Sequence, residues 1–203
     1  MGDHLKFAGA DAATQRAALV QIMRSQPELM DVLEGLRALA LPDPLLTSGA
    51  IYNTVWNHLT GRPALSGVND IDVFYFDGSD LSWGAEDKMI RALEARFAHL
   101  PVPVQVRNQA RVHLWFEQKF GSPFTPLTSS SEMLGRYASK THAVGARLLA
   151  DGEFEVFAPF GLDDMFSFRM VPNPVLNNRI AHTKKGERAL TLWPELTLVP
   201  WPD

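Results

Sequence analysis

Residues 70–76 read DIDVFYF, a β-branched and aromatic stretch that predicts a strand. Alternate side chains of a strand lie on one face, so Asp70 and Asp72 are expected to project together, about 7 Å apart along the chain. Two carboxylates on one face repel each other and are costly to desolvate unless a cation lies between them. This Asp-x-Asp therefore indicates a site for Mg²⁺, which prefers carboxylate oxygens, although two solvated acids are the commoner arrangement.

The residues around this Asp-x-Asp help to decide among the other kinds of site that use the same motif. An EF-hand loop needs an acid or Asn four residues after Asp70 and Gly just beyond, where Phe74 and Tyr75 stand. A haloacid-dehalogenase-type aspartate would follow an apolar strand, whereas residues 66–69 read SGVN. A glycosyltransferase Asp-x-Asp remains open because it also holds a divalent ion on nucleotide phosphates, but no Gly-rich Rossmann turn supports it.

A short apolar segment enters a helix upstream, where residues 45–50 read LLTSGA. Gly49 lets a phosphate approach the backbone, and the helix start offers free N–H groups with a partial positive charge. Ser48 either caps the helix or donates to a phosphate, and capping is the commoner role for serine at such a position. The segment is therefore a candidate phosphate site.

Helical periodicity and apolar alternation predict the remaining elements. Helices are expected over residues 11–25, 29–39, 50–59, 86–100, 132–138 and 177–190, and strands over 102–107, 143–150 and 153–157, the last two as a hairpin. Helices come first and are followed by strands mixed with helices. This order predicts an α/β or α+β domain with a mixed sheet flanked by helices.

Composition excludes several classes of protein. The 203 residues are 46% hydrophobic and 21% charged, as in a globular domain, and include no Cys for zinc, disulfide or thiol chemistry. No apolar run of about 18 residues predicts a membrane span, and the N-terminus lacks the apolar region of a signal peptide, so a cytoplasmic protein is expected. A net charge of −4 argues against binding duplex DNA.

Cationic side chains form two further candidate groups. Arg107 and Arg111 lie in a polar run after the predicted strand 102–107, where they either bind triphosphate oxygens or brace the strand. The cations of the last predicted helix either contact an acidic substrate or RNA, or lie on its solvated face, which is the commoner case. These residues are Arg179, Lys184, Lys185 and Arg188.

Together these segments resemble the nucleotidyltransferase fold shared with DNA polymerase β, in which a helix start beginning Gly-Ser or Gly-Gly precedes an Asp-x-Asp strand. The closer resemblance is to a bacterial family of predicted nucleotidyltransferases. It runs from about Ser48 to Pro174 through SGAIYNTVW, NDIDVFYFD, VRNQARVHLWFE, AVGARL and APFGLDDMF, followed by PNP. The first 40 residues show no match.

The resemblance implies transfer of a nucleoside monophosphate from an NTP, with ATP expected, to a hydroxyl on a small molecule, a protein or RNA. Asp70 and Asp72 would be the catalytic residues and the ligands of Mg²⁺, or of Mn²⁺. Ser48, Gly49, Arg107 and Arg111 would bind the nucleotide. One nucleotidyltransferase-like domain is expected over residues 1–203, with an N-terminal helical segment (1–41), a catalytic core (42–120) and a C-terminal extension (121–203).

Two positions depart from the family pattern. Ala50 stands where Ser or Gly is usual, and Gln105 stands where the third carboxylate is expected. An amide adds no negative charge and cannot act as a general base, so it would weaken one of two metal sites. The sequence therefore leaves a second hypothesis open, namely a nucleotide-binding sensor or partner-binding module of weakened catalytic activity.

Overall fold

The computed structural model describes residues 2–202, so that the two ends of the expected domain lie outside the described residues. Its helices are α1 (Ala12–Arg24), α2 (Pro27–Ala38), α3 (Gly49–Thr60), α4 (Trp83–Arg96), α5 (Phe116–Phe120), α6 (Asp163–Phe166) and α7 (Arg179–Leu192). Its strands are β1 (Leu45–Thr47), β2 (Ile71–Tyr75), β3 (Val104–Asn108), β4 (Gly145–Leu148), β5 (Phe154–Phe157), β6 (Arg169–Met170) and β7 (Thr197–Leu198). Short 3₁₀ helices span Asp3–Leu5, Gln109–Leu114, Ser131–Arg136 and Lys140–His142.

The first five strands form one mixed sheet in the order β3-β2-β1-β4-β5, and β6 pairs with β7 separately. β2 and β3 run parallel, connected through α4, whereas the other neighbours in the large sheet are antiparallel. The expected α/β class with a mixed sheet and flanking helices is confirmed. The expected hairpin near residues 143–157 is also confirmed, as β4 and β5.

The two faces of the sheet have different surroundings. Apolar side chains such as Leu46, Val73 and Val106 point to one face, where they join the main core with residues of α1 to α4. The opposite face carries a small apolar cluster around Leu45 and Phe74, covered by the segment 133–143. The rest of this second face remains open for polar side chains, because alternate residues of each strand must point there.

The C-terminal helix α7 is attached to the core at its end. Trp193 is buried and donates its indole N–H to Oδ1 of Asn57 on α3, at 3.0 Å. Both guanidinium NH groups of Arg62 bond the carboxylate of Glu195, at 3.0 and 3.1 Å. These contacts set the end of α7 beside the last turn of α3.

Some predicted elements differ from those observed. Strand β2, predicted over residues 70–76, begins at Ile71, so Asp70 immediately precedes it. The segment expected as a helix over 132–138 forms a 3₁₀ helix over Ser131–Arg136. The last helix lies two residues later than expected, at Arg179–Leu192, and its final turn carries the apolar residues that reach the core.

Candidate functional site

A polar cleft of about 280 Å³ opens where the start of α3, the start of β2 and the side of α7 meet. It brings together the Ser48-Gly49 turn and both aspartates of the Asp-x-Asp segment. The lining residues are Ser48, Gly49, Tyr52, Asn53, Gly67, Val68, Asn69, Asp70, Asp72, Lys185, Arg188, Ala189, Leu192 and Trp193.

The position of each acid follows from strand register. Asp72 lies opposite Thr47 of β1 on one side and Gln105 of β3 on the other. Directly paired residues share a face, so the open face of the sheet receives Asp72 and Gln105 together. Gln105 donates from Nε2 to Oδ2 of Asp70 at 2.8 Å. Gln105 therefore lies beside the carboxylate pair, at the position where the sequence predicts a missing third acid.

The carboxylate of Asp72 is electrostatically strained. Burial, and then the negative charge of Asp70, raise the pKa of Asp72 to about 6, although Lys185 and Arg107 act in the opposite direction. No side chain or backbone amide within residues 2–202 donates a hydrogen bond to this carboxylate. A half-buried acid pair in which one carboxylate accepts no hydrogen bond is typical of a site that takes up a cation.

The turn before α3 presents hydrogen-bond donors to the cleft. Ser48 has a positive φ of 53° and occupies the N-cap position, but no backbone amide of the described chain donates to its hydroxyl. The capping role is therefore not observed: a residue whose side chain caps a helix typically has a β-region backbone, whereas Ser48 has a positive φ. A Cβ placed on Gly49 would lie 3.9 Å from both the Asn53 amide nitrogen and the Tyr52 hydroxyl. The glycine thus leaves a space bordered by polar atoms.

Two partly buried tyrosines lie close to these polar groups. Burial raises the pKa of Tyr52 and that of Tyr137, and the nearby charge of Asp72 acts in the same direction on both. The Tyr137 hydroxyl lies 3.3 Å from Oγ1 of Thr47. Tyr52 stacks on His142, with ring centroids 4.4 Å apart, and burial lowers the pKa of His142. The tyrosines therefore stay neutral and can act as hydrogen-bond donors near the cleft.

Helix α7 supplies cations to the opposite wall. Arg188 donates to the carbonyl of Gly67 at 2.8 Å and to Oδ1 of Asn69 at 2.7 Å, which braces the loop before Asp70. Lys185 lies one turn earlier, and its charge lowers the pKa of Asp72. Sequence reasoning favoured a solvated face for these cations. Their helical spacing with Ala189 was the available signal, since it places them on the side of α7 that meets the core.

The two arginines of the polar run lie elsewhere. Arg111 is buried, forms an ion pair with Glu86 and donates from Nε to the carbonyl of Leu81 at 2.9 Å. Glu86 also accepts from the backbone amide of Asn108 at 2.9 Å, so this network braces the end of β3. Arg107 projects from β3 on the same face as Gln105. Neither arginine lines the cleft, although Arg107 is near enough to influence Asp72.

Oxygen donors of the acid pair are chemically suited to a single divalent cation. Asp70 and Asp72 supply two carboxylates, and Mg²⁺ commonly binds one or two carboxylates while water and substrate phosphates complete its octahedron. Within the described residues, no group of three or more His, Cys, Asp or Glu side chains forms a metal site. Gln105, where the sequence predicts a third acid, contributes an amide instead of a carboxylate. The residues therefore suit one divalent cation and supply fewer oxygen ligands for a second.

A mixed sheet with an Asp-x-Asp beside a helix start defines a nucleotidyl-transfer fold. The chain belongs to the nucleotidyltransferase family whose sequence model matches residues 34–198, so the expected family and enzyme class are confirmed. A solved structure described as revealing a CCA-adding enzyme head domain is similar, with a TM-score of 0.72 and 26% sequence identity. The match covers 91% of this chain and 96% of that one. No curated protein sequence matches this chain significantly.

Among residues 2–202, no helix has the length and apolar character needed to cross a bilayer.

Proposed function

We propose that this protein transfers a nucleoside monophosphate from an NTP, with ATP as the expected donor, to a hydroxyl acceptor and releases pyrophosphate. Asp70 and Asp72 would hold Mg²⁺, or Mn²⁺. One observation carries the proposal: the acid pair, the Ser48-Gly49 turn and the cations of α7 line the same cleft. An acid pair opposite free amides and cations is suited to a metal-bound triphosphate.

The phosphate groups would lie between two positive walls. The backbone amides of Gly49 and Ala50, at the first turn of α3, have no acceptor in the described chain and carry the positive end of the helix dipole. Lys185 faces them from α7. Charge-assisted hydrogen bonds to phosphate oxygens are among the stronger polar contacts, so these groups would fix the position of the triphosphate.

Catalysis at such a site depends on positioning and charge neutralisation. The acceptor oxygen would bond to the α-phosphorus as the bond to the bridging oxygen breaks, with pyrophosphate as the leaving group and the hydroxyl proton released to solvent. The divalent cation, when bound, would supply positive charge to the phosphates and to the transition state. Asp70 and Asp72 would orient the α-phosphorus by fixing that cation, and Gln105 would orient Asp70 through its hydrogen bond.

The test measures binding and turnover separately. Magnesium-dependent affinity for a non-cleavable ATP analogue is measured by calorimetry in the wild type, in Asp72→Asn and in the control Asp151→Asn, at an exposed position in the turn between β4 and β5. Transfer of α-phosphate label from each NTP to small-molecule, protein and RNA acceptors is then followed. We expect Asp72→Asn to lose metal-dependent binding and transfer while Asp151→Asn keeps both. Full magnesium-dependent affinity in Asp72→Asn would show that the site assignment is wrong.

A second candidate function, a nucleotide-binding sensor, is favoured by one observation. The neutral Gln105, which stands where the sequence predicts a third acid, donates to Asp70, so Asp70 and Asp72 would be the two carboxylates that hold cations. A sensor would bind Mg²⁺ and NTP tightly, show no label transfer to any acceptor, and gain none when Gln105→Asp restores the acid. Transfer by the wild type would exclude it.

A further inference from the structure

A second groove, which we call the aromatic groove, lies at the edge strand β3, beside the candidate site. It has a volume of about 500 Å³. Its lining residues are Trp83, Glu86, Arg107, Arg111, Trp115, Gln118 and Lys119. Trp83, the first residue of α4, is 61% exposed, an unusual exposure for so large an apolar side chain. The mechanism proposed above does not use this groove.

The aromatic groove is positively charged in a chain whose net charge is −4. Glu86 is the single acid among its seven lining residues, and the buried ion pair with Arg111 neutralises it. Arg107 and Lys119 remain, and neither forms an ion pair with any residue of the described chain. The groove therefore presents two free cations to a ligand.

Each indole ring of the groove is held next to a cationic side chain. The Lys119 Nζ lies 5.5 Å from the ring centroid of Trp115, and the Arg111 guanidinium carbon lies 5.5 Å from that of Trp83. Indole rings with adjacent cations are the combination that binds single-stranded nucleic acid, because bases stack on the rings while phosphates pair with the cations. An acidic peptide would use the cations but would gain little from two tryptophans.

The groove lies next to the candidate site across β3. A neighbouring pocket shares Trp83 and Arg107 with the groove and is also lined by Gln105, whose amide bonds Asp70 in the cleft. The triphosphate is expected on the β1 side of the acids, at the Ser48-Gly49 turn, whereas the groove lies on the β3 side. Because attacking and leaving oxygens lie roughly in line, the acceptor hydroxyl must approach from the side opposite pyrophosphate.

We propose that the aromatic groove binds the single-stranded end of an oligonucleotide and directs its terminal hydroxyl toward Asp70 and Asp72. Trp83 and Trp115 stack on bases, and Arg107 and Lys119 contact phosphates. The inference rests on the proposed function for the direction of the bound end, but the binding itself is independent of metal and NTP.

The experiment measures fluorescence anisotropy of a 5′-labelled octa-adenylate RNA with the full chain, without metal or NTP. We expect Trp83→Ala and Trp115→Ala each to weaken binding about tenfold, the loss typical of one stacked base. In the wild type, two phosphate contacts predict about a sevenfold loss of RNA affinity between 50 and 200 mM salt. Lys119→Ala removes one of these contacts and should therefore reduce this salt dependence as well. Phe160→Ala is the matched control, since Lys140 lies 5.7 Å from that exposed ring elsewhere on the surface.

Each outcome separates the groove from the proposed function. RNA binding that survives Asp72→Asn but falls in the tryptophan variants supports the groove, whether or not the metal–NTP test succeeds. Similar affinity for octa-deoxyadenylate also supports the groove assignment, because base stacking does not depend on the sugar. Equal binding of a hairpin duplex or of an oligoglutamate peptide, or an equal loss in Phe160→Ala, would overturn it. Normal metal–NTP binding without RNA binding would overturn the groove alone.

Discussion

The side-chain amide of Gln105 donates to Oδ2 of Asp70 at 2.8 Å, from the β3 position directly opposite Asp72. The amide thus touches one acid and is paired across the strands with the other. A carboxylate at this position would add negative charge to a pair in which the pKa of Asp72 is already raised to about 6. The amide instead stabilises the pair without metal, by donating a hydrogen bond to one of the two carboxylates.

Gln105→Asp should increase the dependence of the fold and of activity on magnesium. A third carboxylate repels the other two when no cation is present, so the free energy of unfolding should fall by about 1 kcal/mol in chelator and recover when Mg²⁺ is added. Thermal unfolding with and without Mg²⁺ measures this. Gln105→Asn is the control, because the Asn side chain has the same length as that of Asp but carries no charge. Equal magnesium responses in the two variants would contradict the placement of residue 105 at the metal site.

Asp72→Asn should stabilise the metal-free protein. The raised folded-state pKa means that ionised Asp72 costs stability, a cost absent near pH 4 and complete once the pH exceeds about 6. The difference from an ordinary aspartate corresponds to about 3 kcal/mol at most, so we expect a gain of about 2 kcal/mol at pH 7.5. Chemical denaturation in chelator measures it. Asp87→Asn, which removes a surface ion pair with Arg91, should change stability by less than about 0.5 kcal/mol.

Magnesium binding should weaken as the pH falls through about 6. A cation must displace the proton held by Asp72, so affinity should fall up to about tenfold for each pH unit below the pKa of Asp72 and level off above pH 7. Isothermal calorimetry from pH 5 to 8 measures this profile. An affinity that stays constant over the whole range would show that Asp72 is not a ligand.

Lys185→Ala should weaken NTP binding while leaving the fold intact. The side chain is exposed on α7 and lines the cleft, so its loss removes one charge-assisted contact to phosphate, worth about tenfold in affinity. Calorimetry with a non-cleavable ATP analogue in Mg²⁺ measures the change. Lys184→Ala, a neighbouring exposed lysine outside the cleft, is the matched control. An equal effect of both variants would indicate only a general electrostatic contribution.

Arg111→Met should destabilise the fold and spare NTP binding. It leaves Glu86 buried without its partner, a change that typically costs about 3 kcal/mol, and Glu86→Gln in the same chain should restore part of the loss. Denaturation curves measure stability, and NTP affinity is compared below the unfolding transition. A selective loss of NTP affinity with unchanged stability would instead support the nucleotide-binding role that the sequence suggested.

Local patterns predicted most elements of the fold. Helical periodicity identified α1 to α4, and β-branched and aromatic residues identified β2, because these signals depend on neighbours along the chain. The 3₁₀ helix at Ser131–Arg136 was harder to predict, because its conformation depends on packing against the strand face that it covers. The hydrogen bonds of Asp163 could not be predicted from local patterns either. Its carboxylate accepts from the backbone amide of Gly9 at 2.7 Å and from the side-chain amide of Gln15 at 2.8 Å, and both residues lie more than 140 positions away along the chain.

The sequence alone determined the α/β class, the family, and the acid pair and helix start expected at the site. All of these depend on the spacing of residues that are close together along the chain. Only tertiary structure decided which cations join that site. Packing of Trp193 against α3 brings Lys185 to the acids from more than 100 residues away, and a buried ion pair with Glu86 keeps Arg111 out of the cleft. The reason is physical: a charge acts through distance and burial, and neither can be read from position in the chain.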